Sequence, residues 1–188
     1  PATGCVYSAG GFFSDDFSAG NVKGWTLGTQ WGIGTLLPNP AVPGAGNPDP
    51  TIDHSPTADN KVAGVILGGN TGTTIHAPYY LTSPVINLSG VAGSVFLDFW
   101  RYLNSDYPGY MNSTVEVYNG VSWVTVFTMT AGVAVQDAAW TRLQYDVTAS
   151  KNANFQVRWG YSIGQAGVYD SSGWNVDDVR LMAAMNCP

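Results

Sequence analysis

The chain has 188 residues, 45% of them apolar and only 11% charged, with seven Lys or Arg against thirteen Asp or Glu. A net charge of −6 excludes the clustered basic footprint of a nucleic-acid surface and the polybasic patch of a membrane anchor. No run of about 18 apolar residues occurs, so the sequence predicts no membrane insertion by a helix.

Ser, Thr, Asn and Gly, rather than Lys and Glu, keep the surface polar; Glu116 is the only glutamate. That balance suits a secreted or extracellular protein. No basic-then-apolar leader opens the chain, which reads as one domain over residues 1–188, excised from a larger exported protein. Cys5 and Cys187 lie at the two extremes. In an oxidising compartment they are expected to form a disulfide that joins the termini, which requires both ends to meet in the fold.

In chain order, "FFSDDF" near the start carries Asp15 and Asp16. Residues 34–56 are rich in Pro and Gly and predict a long loop, which ends in "TIDHSPTADN" with Asp53 and His54. "GSVFLDFWRYLN" alternates, with Val95, Leu97 and Phe99 on one face and Phe96, Asp98, Trp100 and Tyr102 on the other. "STVEVYNGVSWVTVFTM" predicts a hairpin around Asn119-Gly120. "WTRLQYDVT" sets Leu143, Tyr145 and Val147 on one side, and "NFQVRWGYS" sets Phe155, Val157, Trp159 and Tyr161 on one side. "GWNVDDVRL" is strand-like, yet Asp177 and Asp178 interrupt it. Neighbouring strand residues point to opposite faces, so at least one of the two faces a packed side. No helical stripe of useful length is present. The pattern predicts an all-β jelly-roll sandwich of two antiparallel sheets.

The chemistry is sparse. Only His54 and His76 are available as bases, and no G-x-S-x-G elbow or H-E-x-x-H helix accompanies them. Asp98 and Glu116 fall on consecutive predicted strands, but a spacing that aligns acids on one strand face is missing. The sequence therefore predicts no enzyme. The aspartates remain, as hard oxygen ligands of the kind calcium prefers. The first and last strands of a jelly roll commonly lie together, and Asp53 on the loop can close over them. A cation there neutralises the paired acids near the C-terminus.

The segments "DDFSAGNVKGWT" (15–26), "DHSPTADNKVAGVIL" (53–67), "YYLTSPVINLSGVAGSVFLDFWRYLN" (79–104), "AWTRLQYDVT" (139–148) and "SGWNVDDVRL" (172–181) occur in an order that resembles MAM domains. The likeness is to the MAM domains of meprins, neuropilins and receptor tyrosine phosphatases, and more to their bacterial relatives beside secreted peptidases. It covers most of the chain. It implies a concanavalin-like jelly roll and a calcium ion held by Asp16 (or Asp15), Asp53 and Asp177. Two departures stand out: the animal domains carry four cysteines, and an acid follows the phenylalanine where Ser18 follows Phe17 here. The implied role is a non-catalytic, calcium-stabilised accessory or adhesion module whose partner is a protein or a glycan at a cell surface. The alternative is a carbohydrate-binding module that uses exposed aromatics. Its candidates are Trp100, Tyr102, Tyr107 and Tyr110, with Asp98 and Arg101 nearby to bond hydroxyls.

Overall fold

The fold is that of a computed structural model, which describes residues 11–39 and 46–183. Cys5 and Cys187 lie outside the described residues. Twelve strands are present among the described residues, with one short 3-10 turn at Thr148–Ser150. They are β1 (Phe13–Asp15), β2 (Thr26–Leu27), β3 (Trp31–Thr35), β4 (Lys61–Val65), β5 (His76–Thr82), β6 (Val95–Ser105), β7 (Met111–Tyr118), β8 (Trp123–Thr128), β9 (Val135–Gln136), β10 (Thr141–Asp146), β11 (Val157–Ile163) and β12 (Gly173–Ala183).

They form two antiparallel sheets, as the period-two pattern predicts. The larger has the order β10-β6-β12-β4-β3, with β1 on β12 and β9 on β6; the smaller runs β2-β5-β11-β7-β8. The first and last strands do lie together, with Phe13 opposite Leu181 and Asp15 opposite Val179. The described ends therefore sit side by side, and Phe12 N–H donates to Leu181 O at 2.8 Å. The sheets face one another as a jelly-roll sandwich.

The core between them is aromatic. Trp159 of β11 meets Phe99 of β6 edge-on at 5.1 Å and Trp25 at 5.8 Å. Leu97, Phe99, Val115, Val117, Val157 and Trp159 all belong to the buried cluster, so the strands face as their alternation predicts.

β12 explains its own interruption. Opposite β6, Asp177 pairs with Trp100 and Arg180 with Asp98, so two residues of β12, Asp178 and Val179, stand against the single Phe99 of β6. This is a β-bulge, and Asp178 takes the left-handed φ of 50° at its centre. The extra residue resets the alternation: Trp174 and Val176 face the core before it, and Val179 and Leu181 after it. β12 changes neighbour at the same place, from β4 at Asn175 and Val176 to β1 at Val179.

One expectation is corrected. Asp98 and Glu116 are not on neighbouring strands of one sheet. β6 and β7 belong to different sheets, and both residues point away from the shared core, so they stand on opposite outer faces. They cannot flank one scissile bond.

Candidate functional site

The three segments that carry the acids meet around the bulge. Residues 46–60 run as a strap across the outer face of the larger sheet and are tied down by polar contacts. Asn47 N–H donates to Asn104, and Tyr102 O–H to Pro48 O at 3.0 Å. Asp49 accepts from Asn175 Nδ2 at 2.5 Å, and Trp140 Nε1 donates to Ile52 O at 3.0 Å. His54 stacks on Trp100 at 3.6 Å.

Asp177 is wholly buried, as is nearly all of Asp178. Asp177 does not end in a void. One oxygen accepts the backbone N–H of His54 at 2.9 Å and of Ser55 at 3.1 Å, and the other accepts Asp178 N–H at 2.7 Å. Burial nevertheless pushes its carboxyl up to about 7, with the Asp178 charge adding to the rise and the backbone donors opposing it. Asp178 is bracketed by His54 Nδ1 at 2.7 Å and Arg180 at 2.9 Å.

Asp15 and Asp16 separate in role. Asp15 is buried and accepts Trp25 Nε1 at 2.8 Å and Phe17 N–H at 3.1 Å. Asp16 is half-buried and accepts the Ser18 hydroxyl at 2.7 Å, a contact that lowers its pKa. Asp53 differs from both. It is 5% exposed, and neither carboxylate oxygen has a hydrogen-bond partner. Burial raises its pKa most, followed by the charge of Asp59; the nearby backbone N–H of Lys61 opposes the rise, and Asp178 and Asp16 add to it. Phe17, Asn60 and Asp178 all adopt left-handed φ here, which is uncommon for residues other than glycine.

Among the described residues, no three His, Cys, Asp or Glu side chains form a group able to hold a metal ion. Asp53 does present two carboxylate oxygens without a hydrogen-bond donor, hard ligands of the kind calcium takes. Asp16 and Asp53 would be the side chains that hold such an ion, whereas the Asp177 oxygens are already engaged by N–H groups.

The aromatic candidates divide. Tyr102 is buried beneath Pro48, and His54 covers a face of Trp100, so the strap turns both into a second packed layer. Asp98 is likewise buried, against Arg142 at 2.7 Å, and Arg101 is held by Asp137 at 2.8 Å. Tyr102 and Asp98 are thus buried, and Trp100 and Arg101 half-buried against these partners. Tyr107 and Tyr110 are exposed, on the loop between β6 and β7.

A second surface lies on the outer face of the smaller sheet. A cleft of about 190 Å³ is lined by Pro78 and Tyr80 of β5, Asn112, Thr114 and Glu116 of β7, and Ser162 of β11, among others. Its floor is Gly160. A Cβ there would stand 2.6 Å from Tyr80 Cε1 and 3.1 Å from Thr114 Oγ1, so only glycine lets the tyrosine ring lie across the strand. At one end Arg158 sits 3.8 Å from the centre of the Tyr80 ring and 4.0 Å from that of Trp123. Its charge is matched by Glu116 at 2.6 Å. The cleft thus offers amide, hydroxyl and aromatic groups with no unpaired charge. Sequence reasoning passed over Tyr80, Trp123 and Arg158, which come from three strands. The available signal was a glycine inside the strand "VRWGYSI".

No family model matches the chain, and no curated protein matches it. Solved structures do. A cleaved adhesin domain of Lys-gingipain from Porphyromonas gingivalis is 15% identical, with a TM-score of 0.50 over 92% of this chain and 98% of that one. A CBM22 xylan-binding domain from Paenibacillus barcinonensis is 14% identical, with a TM-score of 0.51 over 97% of this chain and 99% of that one. At such identities the likeness is one of fold.

Proposed function

We propose that this chain is a non-catalytic, glycan-binding module of an exported protein, MAM-like in its segment order and stabilised by calcium. The observation that carries the reading is the cleft over Gly160. It combines one broad aromatic surface, Tyr80, with the hydrogen-bonding groups of Asn112, Thr114 and Ser162. Concave sites of this kind fix a ligand with a few placed polar groups. The Glu116–Arg158 pair leaves the cleft locally neutral and the chain as a whole carries −6, so the glycan it suits is uncharged. The xylan-binding neighbour supports the use of such a sandwich for this purpose, by analogy of fold.

Absence of catalysis is supported by the site chemistry. His54 is occupied by Asp178 and Trp100, His76 Nδ1 lies 2.8 Å from Ala77 O, and the candidate carboxyl pair Asp98 and Glu116 stands on opposite faces. A protein-adhesion role is the second reading, favoured by the gingipain adhesin domain of similar fold.

Binding to a panel of neutral polysaccharides, xylan included, tests the proposal. Retention on at least one is expected, with loss in Gly160→Val, whose added side chain would displace the Tyr80 ring. A folded wild-type protein that is retained on none of them would overturn the glycan reading and leave the adhesion one.

A further inference from the structure

The cleft does not end at Asn112. Ile163 pairs with His76 on one side and with Met111 on the other, so the loops beside β5, β7 and β11 gather at one end of the smaller sheet. Four large side chains stand exposed there: Ile75, Tyr107, Tyr110 and Tyr169. Tyr107, Tyr110 and Tyr169 are the only tyrosines among the exposed large hydrophobics of the described residues. Exposed aromatic groups gathered on one rim mark an interaction surface.

The rim is built rather than loose. Asp106 receives Tyr107 N–H at 2.7 Å on one oxygen and Tyr169 N–H at 2.8 Å on the other. One buried carboxylate thereby joins the two tyrosine loops. Gly164 N–H donates to Tyr110 O at 2.9 Å, and Gly109 N–H to Asn112 Oδ1 at 2.9 Å. Met111, Ile163 and Val168 pack beneath as a small separate core. Ordering such loops in advance reduces the entropy lost on binding. Asn112 links the two surfaces directly, because it lines the cleft and also holds the tyrosine loop.

We propose that the tyrosine rim is a further part of the binding site, so that the module recognises a chain of several neutral sugars rather than a single unit. The proposal rests on the glycan reading above. From Glu116 back along β7 to Tyr110, the residue just before that strand, is about 20 Å at strand rise, more than one sugar ring covers. The acids at the rim are engaged by the protein itself: buried Asp106 is taken by its two N–H donors, and Asp170 accepts Gly72 N–H at 2.7 Å. Tyrosine rings offer flat, rigid faces with a hydroxyl at the edge, suited to the alternating C–H and O–H surfaces of sugars.

Titration calorimetry with xylobiose and xylohexaose tests this on the whole chain. The hexaose is expected to bind at least about tenfold more tightly than the biose. Tyr110→Ala and Tyr169→Ala are expected to cut hexaose affinity by about tenfold each, as loss of an aromatic anchor does. Both should leave biose affinity and the melting temperature unchanged. Equal wild-type affinity for the two lengths, or rim variants that spare the hexaose or weaken both sugars alike, would refute the extended site and leave the cleft standing. Binding of neither sugar by the wild type would remove the extended site together with this use of the cleft.

Discussion

His54 Nδ1 lies 2.7 Å from Asp178 Oδ2, across 124 positions of sequence, while the backbone N–H of the same histidine holds Asp177. One strap residue therefore meets both members of the acidic pair and lies flat on Trp100 as well. His54→Ala is expected to destabilise the fold by about 2 kcal/mol, from the lost ring contact and the lost bond to a charged partner. His54→Phe, which retains the stack, should recover about half. Chemical denaturation of the three proteins measures the difference; an alanine variant as stable as wild type would show that the strap is held elsewhere.

Asp49 and Asp177 give the strap a pH dependence. Burial raises both carboxyls to about 7, against 3.8 for the unperturbed group. A folded pKa above the unfolded one means that the folded state holds the proton more tightly. The contribution to stability is thus complete below about pH 4 and is lost as pH rises to about 7. Each group accounts for roughly 1.4 kcal/mol per pH unit within that window. Asp49→Asn keeps the contact with Asn175 without the ionisation, and it should flatten the slope in metal-free buffer. A slope equal to that of the wild type would argue that Asp49 does not hold its proton.

Calcium is expected to raise the melting temperature and a chelator to lower it. At a hundredfold excess over the dissociation constant the gain is about 2.7 kcal/mol. Asp53→Asn should abolish the response. In chelator the same variant should be no less stable than wild type, because it removes a buried carboxylate that has no partner. Asp16→Ala should also weaken the calcium response, whereas Asp177→Ala should free the strap from its N–H anchors and lower stability in calcium and in chelator alike. Melting curves of the wild type that coincide in calcium and in chelator would contradict the metal site.

Cys5 and Cys187 are expected to be bonded, since β1 and β12 bring the described chain ends together. Denatured, unreduced protein should show no free thiol. Because the bond closes almost the whole chain, reduction is expected to cost up to about 5 kcal/mol. Two reactive thiols would disprove the bond.

The strands were the most legible part of the sequence, because each strand facing the core alternates in its own short window. The bulge left a trace that the strand reading passed over. The apolar positions Trp174, Val176, Val179 and Leu181 are spaced by two, three and two, and the long step falls at the two aspartates. What stayed hidden depends on which sheet a strand joins and on what lies over it. Nothing local in "FLDFWRYLN" or "STVEVY" says that the chain crosses from one sheet to the other between Asp98 and Glu116. The hydrophobic face of Trp100 looks the same in the sequence whether His54 covers it or water does. The cleft is assembled from side chains of separate strands, so no window contains it; its one local trace is Gly160.

The bulge at Asp178 also sets a rule of count. One extra residue keeps Trp174 and Leu181 on the same side of a strand that would otherwise turn one of them outward. The segment between Val176 and Val179 therefore tolerates exchange of its side chains far better than a change in its length. Asn or Gly can take the left-handed place of Asp178, at the cost of the His54 and Arg180 contacts. Removal of the residue would give every position on one side of the joint the wrong face. The spacing between these two valines, more than the acids that fill it, is what keeps both halves of β12 turned to the core.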